Sequence, residues 1–509
     1  MIRSRMVLVA LAVASIASVS LASCSGAAPA PTTPSWTYPN GTITNTRVAQ
    51  SSIDLANIST LTKRWSFDLS GTATANVGGY GTLAANPVVQ AGVIYIQDLH
   101  SNVYALSLSS GRLLWKHLFN KPELSGPGPN GVAVAKGLVY GETPTAAFAL
   151  NDTTGHLVWS NATLLKHGQG TFGIQPEVAH GQVFLASQYG PAKGGGILIS
   201  LNATTGKKLW SFATMTGPDP GVAALGLGAG GAWETPLVSA NGTVSFGIGN
   251  PYQMIGEAYS QPAKLLYSNS VVTLNARTGK LLWYYQGVPN DFKDYDMQAS
   301  PISVTVGGTP VVISGGKMGY VYEMNAHTGK LLWKKAVGVH TGYDNQSLNA
   351  LEHKATLKLP FTFEPGSFGG ILTNMAYANN TVYAATLNLP LAYTKSDQVT
   401  GGKPATKFTY GGAMVALNAA TGAIKWNTTI KGIPDGAATV SNDLVVTATE
   451  EGRLMAFNAA TGAIVLNMKL PRAMNAPLAI VGKTIIVAAG GPVLKGSKEK
   501  SQIDAYTVR

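Results

Sequence analysis

A short pattern that occurs seven times constrains the fold of this chain more than any other feature. In most copies an apolar residue precedes Asn, Thr-Gly follows two residues later, and Trp stands four residues after the Gly. Asn-x-x-Thr-Gly between two short apolar runs predicts a β-hairpin whose Gly supplies a positive φ. The copies span residues 104–115, 148–159, 199–210, 272–283, 322–333, 415–426 and 456–466.

The spacing of these copies predicts a closed propeller. Trp65 stands at an eighth equivalent position, and Leu466 replaces Trp in the last copy. A period of roughly 40–50 residues is typical of propellers, and runs such as 93–99 and 381–387 add strands rich in Val, Ile and Tyr. A Trp at one place in each unit indicates a wedge between neighbouring blades. Eight units predict an all-β fold, an eight-bladed β-propeller that leaves no long sheet edge exposed.

Composition excludes several kinds of site. The 509 residues are 45% hydrophobic and 12% charged, and they include a single Cys. Disulfide scaffolds, zinc ribbons, CxxC redox sites and covalent c-type haem each need at least two cysteines, so one chain can contain none of them. The net charge of +12 favours an acidic partner or a negatively charged surface. No Lys/Arg run or basic helix supports nucleic-acid binding.

The single cysteine follows an N-terminal export signal. Residues 1–23 contain two arginines, an apolar stretch too short for a comfortable membrane span, and small residues, which together predict a signal peptide. The stretch ends in Leu-Ala-Ser-Cys, which resembles the bacterial lipobox and implies that Cys24 is lipidated. Residues 24–34 then predict a flexible tether and residues 35–509 the propeller. We therefore expect an exported protein, lipid-anchored to the bacterial cell envelope at the outer face of the cytoplasmic membrane or in the periplasm. A plain secretory leader is the alternative.

The repeat resembles the tryptophan-docking motif of the quinoprotein dehydrogenases, which carry pyrroloquinoline quinone (PQQ) on an eight-bladed propeller. The opening segment, residues 36–65, is also similar to the start of that family's mature domain, and the resemblance continues to Arg509. It implies an oxidoreductase whose cofactors are PQQ and Ca²⁺ or a lanthanide ion. Outer-membrane assembly lipoproteins share such propellers and bind only other proteins, so function has to be argued from the site.

The resemblance implies a metal site next to a long insertion. In residues 283–301, Asp294 matches the family's active-site Asp, and Asp296 lies two residues on, where an extended segment places both on one face. Asp-Tyr-Asp resembles the signature of lanthanide-dependent alcohol dehydrogenases. Asn250, in Gly-x-Gly-Asn-Pro, matches the Asn that gives the metal an amide oxygen. The implied ligands are thus Asn250, Asp294, Asp296 and Gln188, with Asp294 also the general base. A solvated acidic loop is the alternative.

Five further residues are assigned by the same resemblance. Trp233, surrounded by glycines, corresponds to the Trp that stacks on PQQ, and Lys317 to a cation that contacts the quinone oxygens. Gln188 stands where the family has a metal-binding Glu, and Asn130 where it has an Arg near the cofactor carboxylates. Gln175 is assigned to cofactor binding. An ordinary buried aromatic and a surface turn are the alternatives for Trp233 and Lys317.

Together these residues predict an extracytoplasmic PQQ-dependent dehydrogenase that oxidises an alcohol or sugar hydroxyl. Asp294 is expected to take the hydroxyl proton, at an ordinary pKa of roughly 4. Since the chain has no haem motif, electrons are expected to pass to an external acceptor such as a cytochrome. The family's alcohol-oxidising members usually have a disulfide between adjacent cysteines, which this chain lacks, and Gln188 and Asn130 are neutral. These departures keep a second hypothesis open: a non-catalytic propeller that serves as a binding or envelope-assembly scaffold.

Overall fold

A computed structural model describes most of the chain after the tether. The predicted signal peptide, Cys24 and the tether up to residue 33 lie outside the described residues. No helix among the described residues is long and apolar enough to cross a membrane. The described ranges are 34–69, 81–122, 130–188, 195–215, 229–353, 356–399, 402–404, 411–491 and 501–509.

Eight four-stranded antiparallel sheets form the blades of a β-propeller, as the repeat predicts. In most pairs of neighbouring blades the first strands contact each other, as expected for the strands nearest the central axis of a propeller. Strand β1 (Thr62–Asp68) precedes the first complete sheet. The next four sheets are β2 (Val88–Gln90), β3 (Val93–Gln97), β4 (Val103–Ser107) and β5 (Leu113–His117); β6 (Ala133–Ala135), β7 (Leu138–Thr143), β8 (Ala146–Asn151) and β9 (Leu157–Asn161); β10 (Glu177–Ala179), β11 (Gln182–Ala186), β12 (Ile197–Asn202) and β13 (Lys208–Ala213); and β14 (Leu237–Ser239), β15 (Thr243–Gly247), β16 (Ser270–Asn275) and β17 (Leu281–Gln286).

The second half of the chain continues the pattern and adds the elements of the two long units. These additions are two short helices and a three-stranded sheet, β22-β25-β26 in the list that follows. The elements are α1 (Ile255–Ser260); β18 (Ile302–Val306), β19 (Thr309–Gly315), β20 (Tyr320–Asn325) and β21 (Leu331–Ala336); α2 (Gln346–His353); β22 (Phe361–Phe363); β23 (Ala376–Ala378), β24 (Thr381–Asn388), β25 (Leu391–Tyr393), β26 (Lys403–Pro404), β27 (Gly411–Asn418) and β28 (Ile424–Ile430); β29 (Thr439–Ser441), β30 (Leu444–Thr449), β31 (Arg453–Asn458) and β32 (Ile464–Lys469); and β33 (Ala479–Val481), β34 (Thr484–Ala489) and β35 (Gln502–Thr507).

The two ends of the propeller domain meet in the last blade. β1 pairs antiparallel with β35, in a register that runs from Thr62 opposite Thr507 to Asp68 opposite Gln502. The last sheet therefore has the order β33-β34-β35-β1 and takes its outer strand from the start of the domain. This pairing closes the ring and leaves no blade with a missing strand.

Tryptophans occupy seven of the eight seams between blades, which confirms the wedge prediction. Each indole N–H donates to a backbone carbonyl in the turn of the next blade, and each ring lies against that turn's glycine. A Cβ on Gly279, for example, would lie 2.6 Å from the ring of Trp210. At the eighth seam Leu466 packs against a core cluster that includes Ile58. The bonds are Trp65–Leu108 (3.0 Å), Trp115–Asp152 (2.7 Å), Trp159–Ala203 (3.0 Å), Trp210–Ala276 (2.8 Å), Trp283–Ala326 (2.9 Å), Trp333–Ala419 (2.8 Å) and Trp426–Ala459 (3.0 Å).

Candidate active site

Two predicted carboxylates lie in the loop after β17 and share one lysine. Asp294 is 6% exposed and Asp296 is fully buried. Lys317 Nζ lies 3.2 Å from Asp294 Oδ2 and 2.6 Å from Asp296 Oδ2. Asn250 reaches the same place: its Nδ2 donates to Asp294 Oδ1 and, at 2.9 Å, to Asp296 Oδ1. The structure thus brings Asn250, Asp294, Asp296 and Lys317 together, and we call these four residues the carboxylate cluster.

The residues on either side of Asp294, Lys293 and Tyr295, point into an aromatic core. The Tyr295 hydroxyl donates to the Pro365 carbonyl at 2.6 Å. Lys293 is fully buried, and its Nζ lies 5.4 Å from the ring centroids of Tyr295 and Phe363. The sheet that contains β22 and β25 supplies part of this core. These contacts hold the side chains on both sides of Asp294 in fixed positions.

Burial and the second carboxylate change the acid–base properties of Asp294. Burial raises the pKa of Asp294 well above its usual range; Lys317 opposes this effect, and Asp296 reinforces it. The prediction of an ordinary Asp pKa was therefore wrong, because it ignored desolvation and the like charge of Asp296. For Lys317, burial alone would lower the pKa, but Asp294 and Asp296 together raise it above the usual lysine value. The cluster consequently keeps its ammonium group between two acids.

The donor set of the cluster fits a hard cation. Carboxylate and amide oxygens are the ligands that Ca²⁺ takes in proteins. The space between Asp294 and Asp296 already accommodates the positive charge of Lys317. A half-turn of the Asn250 amide about its terminal bond would exchange its NH₂ for its oxygen. Within the described part of the chain, no group of three or more His, Cys, Asp or Glu residues is arranged to hold a metal. The candidate set contains only two carboxylates.

Trp233 lies at the edge of the carboxylate cluster. A Cβ on Gly249 would lie 2.9 Å from Trp233 Nε1 and 2.9 Å from Asp296 Oδ1, so glycine is required where these groups meet. The Gly249 N–H donates to the Gly231 carbonyl at 2.6 Å, which ties the strand before Asn250 to the segment that carries Trp233. Trp233 is half-buried.

The three remaining predicted residues group around Gly173 instead; we call Asn130, Gln175 and Gln188 the amide cluster. Gln188 Nε2 and the Asn130 backbone N–H both donate to the Gly173 carbonyl, at 3.1 and 3.3 Å. Gln175 Oε1 accepts from the backbone and side chain of Asn86, at 3.0 and 2.9 Å. All three amides are buried.

The amides of this cluster differ in how fully they are used. Gln175 Nε2 donates to the carbonyls of Asn86 and Val132, at 3.0 and 2.8 Å, so both ends of this side chain are committed to the fold. Asn130 Oδ1 accepts from Gln97 Nε2 at 3.2 Å. Asn130 Nδ2 is buried and has no hydrogen-bond partner among the described residues. Asn130 therefore retains one donor for a bound molecule.

A backbone link places the two clusters on the same part of the propeller. The Ala232 N–H donates to the Ser187 carbonyl at 3.1 Å. Ser187 precedes Gln188 of the amide cluster, and Ala232 precedes Trp233. The Trp233 segment therefore lies between the amide cluster and the carboxylate cluster.

Sequence reasoning missed Phe368. Its side chain is 53% exposed, and the centre of its ring lies 5.7 Å from Lys317 Nζ. An aromatic ring this exposed beside a buried ion pair marks the open side of the site. The only signal in the sequence is a Phe set among glycines in residues 364–370, outside every repeat.

Comparison with known proteins identifies the family. A model of the glucose/ethanol/alcohol dehydrogenase β-propeller domain, the PQQ family, matches residues 36–144 and 172–337, more than half of the chain. A second model, of the outer-membrane protein assembly factor BamB, matches residues 99–229 and 410–506. Both families build propellers, so the two matches overlap in part of the repeat region.

Individual proteins resemble this chain in sequence or in fold. The dehydrogenase subunit of a quinone-dependent alcohol dehydrogenase from Gluconobacter oxydans is 29% identical over 399 residues, which are 67% of this chain and 51% of that protein. The structure of the quinohemoprotein alcohol dehydrogenase ADHIIG from Pseudomonas putida superimposes with a TM-score of 0.78 at 22% identity, over 93% of this chain and 80% of that one. A europium-containing methanol dehydrogenase superimposes with a TM-score of 0.75 at 19% identity, over 93% of this chain and 98% of that one.

These comparisons identify the family, and they show how much of each relative the chain spans. The chain spans about half the length of the relatives it matches by sequence. The predicted family, with PQQ as its cofactor, is confirmed by the domain match and by the relatives. The chain belongs to the PQQ family of glucose, ethanol and alcohol dehydrogenase β-propeller domains.

Proposed function

We propose that this protein is a PQQ-dependent dehydrogenase that oxidises an alcohol, or a sugar hydroxyl, outside the cytoplasm. One observation carries the proposal: Asp294, Asp296 and Asn250 converge on a single buried point beside Trp233 in a chain of the PQQ family. Their oxygens would hold Ca²⁺ or a lanthanide ion, and Trp233 would supply a flat surface to the quinone.

Asp294 is the general base in this mechanism. When bound, the quinone would supply the two-electron oxidant and the cation would polarise it. Without a cation, the pKa of Asp294 is raised by burial and by Asp296. A cation held by the same carboxylates favours the ionised form, so Asp294 can accept the substrate hydroxyl proton at neutral pH. Lys317 balances the negative charge that develops at the site.

The amide cluster would line the cofactor with neutral groups. Asn130 Nδ2 is a buried donor with no partner among the described residues, and it can serve a cofactor oxygen. Gln188 would add a neutral oxygen to the metal set after its amide leaves Gly173. Gln175 would act by holding the surrounding loops, because its four hydrogen bonds go to Asn86 and Val132.

Phe368 supports an alcohol with an apolar part as the substrate. Its exposed ring covers the side of the site next to Lys317. Contact with an apolar substrate chain would remove this surface from water, at about 25 cal/mol for each Å². A sugar ring, which carries several hydroxyls, would gain less from the same contact.

The N-terminal segment would anchor the protein to the cell envelope. We expect lipid at Cys24, with residues 24–34 as the tether, because the only thiol of the chain closes the apolar leader. Cys24→Ala should prevent lipidation and move the protein from the membrane fraction to the soluble fraction. If the variant remains membrane-bound with its leader cleaved at the same place, the anchor is not at Cys24. Electrons would then leave the anchored enzyme to an external acceptor such as a cytochrome.

A scaffold propeller is the second candidate, and the match to the BamB model favours it. Dye reduction by the purified mature chain, with PQQ and either Ca²⁺ or La³⁺ added, separates the two functions. The proposed dehydrogenase should reduce the dye with at least one member of a panel of alcohols and sugars, and only when quinone and metal are both present. A scaffold should show neither turnover nor quinone absorbance with any metal.

A further inference from the structure

The backbone at Asp294 adopts a conformation that is uncommon for residues other than glycine. Asp294 has φ +63°, in the left-handed region that most non-glycine residues avoid. Such a conformation persists where surrounding contacts over-determine it. The contacts that hold Asp294 in place also aim its carboxylate at Asp296, Asn250 and Lys317.

Asp291 supplies those contacts from the same loop. Its Oδ1 accepts the Lys293 N–H at 2.9 Å, and its Oδ2 accepts the Tyr295 N–H at 2.8 Å. The two peptide N–H groups on either side of Asp294 therefore bond to one carboxylate, which is fully buried. Hydrogen bonds that backbone N–H groups donate to a carboxylate are stronger than hydrogen bonds between neutral groups, so this turn is firmly held.

Asn269 joins this turn to the other half of the cluster. Its Nδ2 donates to Asp291 Oδ2 and to the Tyr295 carbonyl, both at 2.9 Å. Its backbone N–H donates to the Gly249 carbonyl at 2.9 Å, directly before Asn250. One buried residue thus connects the two segments: its backbone bonds to the segment that carries Asn250, and its side chain bonds to the segment that carries Asp294 and Asp296.

We propose that Asp291 and Asn269 are positioning residues that fix the spacing between Asn250 and the two carboxylates, and thereby set the affinity of the site for a cation and its preference for ion size. The inference rests on the proposed function, because it assumes a cation at the carboxylate cluster. Neither residue would touch the metal. Cation selectivity at oxygen sites depends on cavity size and rigidity, and partners behind the ligands typically contribute about 10–100-fold to metal affinity.

Asn290 provides a matched control in the same loop. Like Asn269 it is a fully buried asparagine with a left-handed backbone, at φ +57° compared with +51°. Its Nδ2 donates to the carbonyls of Ala258 and Ser347, at 2.9 and 3.1 Å, so it ties the loop to α1 and α2. Replacing either asparagine by Gly removes the side chain and keeps the backbone conformation accessible. Asn290→Gly therefore tests loss of tethering without loss of the link between Asn250 and Asp294.

Terbium luminescence tests the proposal without PQQ or turnover. Tb³⁺ is titrated into the mature protein, into Asp291→Asn and into the two Asn→Gly variants, with emission excited through the aromatic side chains. We expect Asn269→Gly and Asp291→Asn to bind Tb³⁺ about 10–100-fold more weakly than the wild type. Displacement by La³⁺ and Lu³⁺, which differ in radius, should discriminate less in these variants. Asn290→Gly should keep the wild-type affinity and size preference.

Each outcome of this titration decides a different question. If the wild type binds no Tb³⁺, the metal site of the proposed function is wrong and the inference falls with it. If the wild type binds and Asn269→Gly binds equally well, only the inference is overturned. A loss of the same size in Asn290→Gly would also overturn it, because loop tethering in general would then explain the effect. If Asp291→Asn does not fold, Asn269→Gly decides alone.

Discussion

The carboxylate cluster and the amide cluster are both buried next to the Trp233 segment, yet they use their polar atoms differently. In the amide cluster, both the oxygen and the nitrogen of the Gln175 side chain form hydrogen bonds, with Asn86 and Val132 as the partners. In the carboxylate cluster, two acids share a single ammonium group. Buried polar groups are ordinarily hydrogen-bonded, so Gln175 is what a fold needs to hold its loops, whereas Asn130 Nδ2 has no partner among the described residues. Two carboxylates within reach of one cation cost desolvation energy, and this indicates a chemical role.

The largest expected effect is on turnover. Asp294→Asn keeps an oxygen ligand and nearly the same volume. PQQ should therefore still bind to this variant, and the absorbance of the cofactor should still change on binding. Turnover should fall by about 10²–10⁴-fold, the usual contribution of a general base. Equal activity in the wild type and in Asp294→Asn would show that Asp294 is not the general base, even if the cofactor binds.

The next effect is on stability without metal. Lys317→Met leaves Asp294 and Asp296 facing each other with no counter-ion, and we expect the free energy of unfolding to fall by about 3 kcal/mol in chelator. Added Ca²⁺ or La³⁺ should stabilise this variant more than the wild type, since the ion then replaces the ammonium group. Urea unfolding with and without metal measures both. The control is Lys425→Met, at an exposed lysine that donates to Thr381 Oγ1 at 2.8 Å. If this variant lost as much free energy of unfolding as Lys317→Met, the loss could not be assigned to the carboxylate cluster.

A smaller effect should appear on the amide side as a dependence on pH. Glu177, two residues after Gln175, is 1% exposed, and burial raises its pKa to about 8. Between pH 4.3 and 8 the unfolded chain releases this proton while the folded protein keeps it, so wild-type stability falls as pH rises. Glu177→Gln removes this loss and should gain roughly 2 kcal/mol over the wild type between pH 6 and pH 8.

Urea unfolding at the two pH values measures that gain. Because Glu177 lies outside the carboxylate cluster, the dependence of the wild type and variant on added metal should be the same. A difference in stability between variant and wild type that is equal at pH 6 and pH 8 would contradict the account of Glu177. A metal dependence that differs between the variant and the wild type would show that Glu177 is coupled to the carboxylate cluster.

The blades could be predicted from the sequence because their information is local and repeated. Asn, Gly and Trp at fixed spacing specify each hairpin and each seam, and the structure places seven indoles at seven seams. Leu466 at the remaining seam was visible as a substitution in the last copy. Asp294 and Asp296 could be predicted because the short segment that carries them resembles a motif of a known family.

The electrostatics of the site could not be predicted in the same way, because they depend on residues far apart in the chain. The pKa of Asp294 is raised by burial, and the core behind its loop includes Phe363 and Tyr393 from the inserted sheet. The link through Asn269 is a side-chain geometry with no motif. Phe368 reaches Lys317 from a separate loop. Pairings of this kind follow from tertiary packing and leave no periodic signal in the sequence.

The most direct test of the account is to locate a heavy cation in the crystalline protein. Crystals grown with La³⁺, with data collected to record its anomalous scattering, should show one strong peak between Asp294 and Asp296, with oxygens at about 2.3–2.6 Å as for hard cations of this size. Lys317 Nζ should have moved away from the carboxylates that it contacts in the absence of metal. A peak elsewhere, or no peak while Lys317 keeps both carboxylates, would contradict the assignment of this cluster as the metal and catalytic site.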